Sequence, residues 1–118
     1  GGVCVVADYE GRVIGTVLFH RHAVGCPWYE QPHVSVIHQF AVHPEFQGRG
    51  VGAKLMTFVE DEARAAGATE TALDTAEGTL HLIQWYDRLG YRRVDRAQWP
   101  RKTYRSVITS KALTPSAA

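Results

Sequence analysis

The run Gln47-Gly48-Arg49-Gly50-Val51-Gly52 sets three glycines at alternate positions just ahead of a helix-patterned segment. A turn of that kind binds anions. The first backbone N–H groups of a helix have no intrahelical partner and lie at the positive end of its macrodipole, so a phosphate or pyrophosphate is their natural occupant. Glycine at 48, 50 and 52 removes the Cβ atoms that would hold a phosphate away. The N–H groups from Gln47 through Gly52 are therefore assigned to a pyrophosphate. For Arg49 two readings stand, a charge-assisted contact to that phosphate and a solvated surface arginine.

The spacing narrows the ligand. Gly48-Arg49-Gly50-Val51-Gly52-Ala53 satisfies the dinucleotide pattern G-x-G-x-x-G/A, and Asp74 follows at a distance suited to a ribose ligand, so nicotinamide dinucleotide binding competes. Dinucleotide glycines, however, come directly after their strand. Here His43-Pro44-Glu45-Phe46-Gln47 intervenes, and 118 residues are too few for a doubly wound sheet. The triphosphate loop G-x-x-x-x-G-K-[ST] does not occur.

The elements that must position this turn follow from periodicity. Residues 34–42 are rich in β-branched and aromatic side chains and read as a strand; Val51, Leu55, Phe58, Val59, Ala63 and Ala66 recur at helical spacing, predicting a helix over 50–66 closed by Gly67. Residues 3–7 and 13–20 flank Asp8-Tyr9-Glu10-Gly11-Arg12 as a β-hairpin, with Gly11 supplying the turn. Residues 21–33 read as a long loop. Residues 69–75 form a strand parallel to that at 34–42, because a helical crossover joins the two. A shorter helix runs from an N-cap at Thr79 to Leu89 and stops at Gly90. Residues 91–94 and 103–113 read as a final pair of strands, and 114–118 as a frayed tail.

On these residues the chain resembles the GCN5-related N-acetyltransferases. Gln47-Gly48-Arg49-Gly50-Val51-Gly52 is similar to that family's Q/R-x-x-G-x-G/A signature, and Leu82-Ile83-Gln84-Trp85-Tyr86-Asp87-Arg88-Leu89-Gly90-Tyr91 resembles its second signature, a tyrosine-bearing helix ending at Gly-aromatic. The two motifs stand in the family's order and separation. The resemblance implies an α/β acyl-CoA N-acyltransferase fold, a mixed and mostly antiparallel sheet with one splayed parallel strand pair. It implies acetyl transfer from acetyl-CoA to a primary amine by direct attack in a ternary complex, the acceptor being a small molecule or a peptide. The family's domain normally opens with a strand and two helices that help build the acceptor pocket. The sequence reads as starting at the strand after them; were that front segment absent from the protein, a rival reading would be favoured, a non-catalytic acyl-CoA-binding or regulatory module.

The resemblance also implies roles for single residues. The main chain of Phe40, Ala41 and Val42 would hold the pantetheine arm and thioester, with the Val42 N–H on the acetyl carbonyl as a fixed oxyanion donor. Tyr86 matches the tyrosine beside the thioester sulfur that protonates the leaving group; by spacing alone it shares a helical face with Leu82 and Leu89 and reads as core. His38, read as having the same side-chain parity as Phe40 and Val42, is the candidate base, set against a partly buried histidine with a satisfied hydrogen bond. Glu45 is a weaker candidate. Thr79 stands where relatives carry an asparagine on the pantetheine arm, although N-capping explains it equally. Trp28-Tyr29 and Trp99-Pro100 read either as a frame for the acceptor or as packing anchors or a dimer contact.

Composition excludes other classes. A formal net charge of +1 gives no global footprint for nucleic acid. No apolar run approaches the roughly 20 residues that cross a bilayer, and Gly1-Gly2 leading straight into a strand-like segment gives no expectation of a signal peptide. Cys4 and Cys26 form no C-x-x-C pair and read as reduced thiols of a cytoplasmic protein. His20, His22, His33 and His43 fall in no metal motif, so no metal is expected. Hydrophobic content of 45% over 118 residues suits a single domain spanning 1–118. A sheet without its opening elements exposes an edge and an apolar face, so a homodimer is expected, formed through the strand at 103–113 and the loop around Trp28.

Overall fold

The computed structural model describes residues 2–20, 26–100 and 102–113. The first five residues of the long loop, with His22, and the tail at 114–118 lie outside them. Strands β1 (Gly2–Tyr9), β2 (Arg12–His20) and β3 (Val34–Val42) are followed by a 3₁₀ turn (Pro44–Phe46) and helix α1 (Val51–Ala65). Then come β4 (Glu70–Ala76), α2 (Leu80–Arg88), β5 (Arg92–Ala97) and β6 (Ser106–Ala112). The β1–β2 hairpin closes through Glu10 and Gly11, both at positive φ (53° and 82°), the pairing of a two-residue primed turn whose twist matches that of the strands. Helix α1 ends in a Schellman motif. Gly67 takes φ 94°, its N–H bonds the Arg64 carbonyl at 3.0 Å, and the Ala68 N–H bonds the Ala63 carbonyl at 2.9 Å.

The six strands form one mixed sheet ordered β1-β2-β3-β4-β6-β5, with β3 and β4 the parallel pair and every other neighbour antiparallel. The last strand is thus not an edge. It lies between β4 and β5 with both sides hydrogen-bonded, and the sheet edges are β1 and β5.

Both helices pack on one face. Leu55, Met56 and Val59 of α1 and Tyr86 of α2 join Val17, Phe19, Ile37 and Leu73 in a single core. Phe58 departs from the expected stripe and is 49% exposed, because at about 100° per residue it projects well away from the line through Leu55, Val59 and Ala63. On the opposite face Cys26 and Tyr29 cover Val34, Val36, Ala72 and Ile108. A buried polar chain fixes α1 to the sheet: the Tyr91 hydroxyl donates to Glu60 Oε2 (2.8 Å) and meets Thr71 Oγ1 (2.9 Å), while Lys111 Nζ donates to Glu60 Oε1 (3.0 Å). Held there, α1 sets its first turns against Phe40 of β3, Trp85 of α2 and Gly15 of β2.

Candidate active site

The parallel pair is short. Only Val34, Ser35 and Val36 pair with Glu70, Thr71 and Ala72, whereas β4 stays bonded to β6 along its whole length. Beyond Val36 the two strands part, and the gap opens into a cavity of about 680 Å³ whose lining includes His38, Phe40, Asp74, Thr79, Tyr86 and Trp99. That is the splay expected of the fold.

A bulge in β3 decides what faces each end of the gap. Leu18, Phe19 and His20 pair with His38, Ile37 and Val36, but Thr16 and Gly15 pair with Ala41 and Val42, so one extra residue enters β3 between His38 and Ala41. Gln39 absorbs it at φ 50°. Side-chain alternation is reset there. Phe40 and Val42 turn to the helical face, with Phe40 against Trp85 (5.6 Å between centroids, stacked), whereas His38 turns to the other face beside His20 (5.3 Å) and Tyr29 (6.3 Å). The parity that His38 was expected to share with Phe40 and Val42 is therefore corrected, since strict two-residue alternation does not survive a bulge.

The main chain follows from the same register. The His43 N–H donates to the Ile14 carbonyl at 2.7 Å, so antiparallel alternation directs the backbone groups of Ala41 to β2 and those of Val42, with Phe40 before it, into the gap. The Val42 carbonyl accepts from Gln47 Nε2 (3.0 Å), which among the described residues leaves the Val42 N–H as its open backbone group.

The glycine loop divides its labour. Gly48 and Gly50 take φ 77° and 84°, and among the described residues, their chain neighbours aside, no atom lies within 4 Å of where a Cβ would stand on either, so the concave side is open. Gly52 serves packing instead. A Cβ on it would meet Phe40 Cζ at 3.0 Å and the Trp85 ring at 3.3 Å, so its reason is close approach of helix to strand rather than of phosphate to backbone. The first intrahelical bond runs from the Lys54 N–H to the Gly50 carbonyl (3.1 Å), leaving the N–H groups of Val51, Gly52 and Ala53 without helical partners. Arg49 rests its guanidinium 5.4 Å from the centroid of Phe46.

On the α2 side, Tyr86 is buried and lines the cavity, and among the described residues its hydroxyl has no hydrogen-bond partner. Burial, and secondarily the Asp74 charge, push its pKa up to about 12. Thr79 occupies the N-cap position without a side-chain capping bond, so its hydroxyl is left to the cavity it lines, and capping does not account for it. Glu45 is exposed and paired with Arg12 at 3.7 Å, away from the cavity lining. His38 is half-buried; desolvation, reinforced by His20 and opposed by Asp74, lowers its pKa from the ordinary 6.5.

Asp74 is the cavity residue that sequence reasoning missed, having been weighed solely as a ribose ligand. On β4 its carboxylate accepts from the Tyr29 hydroxyl (Oδ1, 3.0 Å) and from Trp99 Nε1 (Oδ2, 3.0 Å), and the two rings stack at 5.9 Å. The signal was an acidic residue set into the otherwise apolar and hydroxylic run Thr71-Ala72-Leu73-Asp74-Thr75-Ala76. Of the two expected aromatic pairs, Trp99 lines the cavity and Tyr29 backs Asp74 from the core. Trp28 packs away from the cavity under Arg92 (5.9 Å).

Comparison with known proteins follows this geometry. A family model described as the acetyltransferase (GNAT) family matches residues 1–91. Among solved structures, an IAA acetyltransferase from Bacillus cereus superposes with a TM-score of 0.80 at 19% identity, over 95% of this chain and 78% of that one. A GNAT family acetyltransferase from Elizabethkingia anophelis, with acetyl-CoA bound, gives a TM-score of 0.77 at 19% identity over 95% and 76%. The ribosomal-protein-S18-alanine N-acetyltransferase from Escherichia coli gives 0.75 at 14% identity over 98% and 72%. At these identities the likeness is one of fold.

Proposed function

Because the chain belongs to the GNAT family of acetyltransferases, we propose that it transfers an acetyl group from acetyl-CoA to a primary amine by direct attack in a ternary complex. One observation carries the reading. The glycine loop follows the end of β3, and past Val36 the gap between β3 and β4 opens into a cavity lined by His38 and Phe40 on one side and by Asp74, Thr79 and Tyr86 on the other. A donor entering along the loop and an acceptor entering from the opposite face meet inside it.

The N–H groups of Gln47 through Gly52 hold the pyrophosphate, and Arg49, braced on Phe46, adds a charge-assisted contact. Glycine is required at 48 and 50 because the backbone there is left-handed and the space a Cβ would take is the space a phosphate needs. The gap-facing backbone of Phe40 and Val42 receives the pantetheine arm, with the Thr79 hydroxyl opposite. The Val42 N–H points at the acetyl carbonyl and stabilises the negative charge that grows on its oxygen as the amine attacks. Ala41 supports this wall through its ladder to β2.

Proton traffic runs at both ends. The acceptor arrives protonated and must lose a proton before its nitrogen lone pair can attack; His38, whose pKa desolvation lowers from the ordinary 6.5, takes that proton. The C–N bond forms, the C–S bond breaks, and the electron pair leaves on sulfur. Tyr86 donates its O–H toward that sulfur. A thiol pKa near 8.5 makes the thiolate a tolerable leaving group, so Tyr86 assists rather than enables. Neither cysteine lies on the cavity lining, which favours direct attack over an acyl-enzyme.

Melting curves with acetyl-CoA or NAD, and thiol release across a panel of amines, test the reading. Acetyl-CoA should raise the melting temperature by mass action while NAD leaves it unchanged, and thiol release should depend on amine. An equal shift with saturating NAD would overturn the cosubstrate. Acetyl-CoA binding with no amine-dependent release would leave an acyl-CoA-binding module.

A further inference from the structure

Asp74 stands on the acceptor side of the gap, and acetyl transfer as described above leaves its charge unused. Half-buried on β4, it accepts one hydrogen bond on each oxygen, both from neutral donors, the Tyr29 hydroxyl and the Trp99 indole. Among the described residues no lysine, arginine or histidine pairs with it. A partly desolvated carboxylate normally finds a cation, and each of its oxygens accepts more than one bond. The wall around it includes Trp99, Tyr104 and the imidazoles of His20 and His38. Lys102, also on the lining, is exposed with its ammonium 5.9 Å from the Tyr104 ring centroid, and it forms no ion pair with Asp74.

We infer that Asp74 anchors the ammonium group of the acceptor, so that the acceptor is an alkyl or arylalkyl primary amine entering as a cation, with no carboxylate on the carbon that bears the nitrogen. The inference rests on the acetyl-transfer reading for which end of the gap is the acceptor's. The ammonium supplies the missing countercharge and offers hydrogens to the free lone pairs of Asp74, while Trp99 gives its face to the adjacent carbons and to the charge. A carboxylate on the same carbon would be brought against Asp74, where like charges repel. Tyr29, fully buried behind the acid, fixes the carboxylate's orientation without occupying the cavity.

Calorimetric titration of phenethylamine and of phenylalanine into the CoA-bound protein near pH 7.5 tests this without requiring turnover. Phenethylamine should bind at least tenfold tighter than phenylalanine. Asp74→Asn should weaken phenethylamine at least tenfold, bring the two ligands to near parity and leave CoA affinity unchanged. Tyr29→Phe keeps the charge and removes one of its anchors, so it should retain the selectivity that Asp74→Asn loses. Equal binding of the two ligands to the unaltered protein would overturn the inference, as would an unchanged ratio in Asp74→Asn or a Tyr29→Phe variant as unselective as Asp74→Asn. Thiol release from acetyl-CoA with phenethylamine, measured on the same samples, separates the two levels. Selective binding without release would overturn acetyl transfer, and release without selectivity would overturn the role of Asp74.

Discussion

Replacing Tyr86 by phenylalanine removes one hydroxyl and little else, because the ring contacts to Phe40, Trp85 and Tyr91 (6.5, 5.1 and 5.9 Å between centroids) are kept. With no hydrogen bond to lose among the described residues, the fold should be nearly indifferent, its melting temperature moving by no more than about 2 °C. Chemistry should notice more. With a pKa of about 12 for Tyr86 against about 8.5 for a thiol, complete proton transfer to the departing sulfur is uphill by about 3.5 pKa units, or about 5 kcal/mol. The hydroxyl therefore acts chiefly as a hydrogen-bond donor to a charged atom, a contact worth about 1.5–3 kcal/mol, and its loss should slow the chemical step about 10- to 100-fold. Single-turnover thiol release reads this directly, with acetyl-CoA affinity from a separate titration expected to stay the same. An unchanged single-turnover rate would return Tyr86 to packing. A basic limb of the pH profile near 9 that vanishes in the variant would contradict the raised pKa.

Gly50→Val should abolish the acetyl-CoA melting shift, since a β-branched residue is strained at φ 84° and its side chain fills the phosphate space; a retained shift would remove the loop from the pyrophosphate site. His38→Gln should erase an acidic limb lying below pH 6.5 in the kcat/KM profile, because activity in the unaltered protein rises as the imidazole loses its proton. The same depressed pKa means the unfolded chain binds more protons than the folded one, so stability should fall as pH drops below about 6.5, and less so in the variant, as urea titrations at several pH values would report. Tyr91→Phe leaves Glu60 Oε2 and the Thr71 hydroxyl without their bonds and should cost about 2 kcal/mol by urea unfolding.

The glycine loop and helix α1 were legible in the sequence because local signals fix them: alternate glycines, a stripe at helical spacing and a terminating Gly67. The parallel placement of β4 followed from the helical crossover. What could not be read depended on partners distant in sequence. Strand periodicity assigned His38 to the same face as Phe40, and one inserted residue at Gln39 reversed it, because a non-glycine bulge carries no compositional mark. Gly52 looked like its neighbours, and only the rings of Phe40 and Trp85 distinguish it. The threading of β6 between β4 and β5 is a matter of sheet order, which a hairpin-like sequence of two strands does not encode. Asp74 drew attention as a ribose ligand, and its setting depends on Tyr29 and Trp99, 45 and 25 residues away.

The bulge at Gln39 has a consequence for how such a protein can be changed. His38 before it and Phe40 after it face opposite sides of the sheet although only two residues apart, so the two sides of the strand are separately writable. On the proposed reading, substitutions at His20, His38, Asp74 and Trp99 would retune which amine is accepted without touching the backbone of Phe40 and Val42 assigned to the donor. Removing a single residue at the bulge would do the reverse, exchanging the faces of one segment and bringing His38 and Phe40 onto the same side.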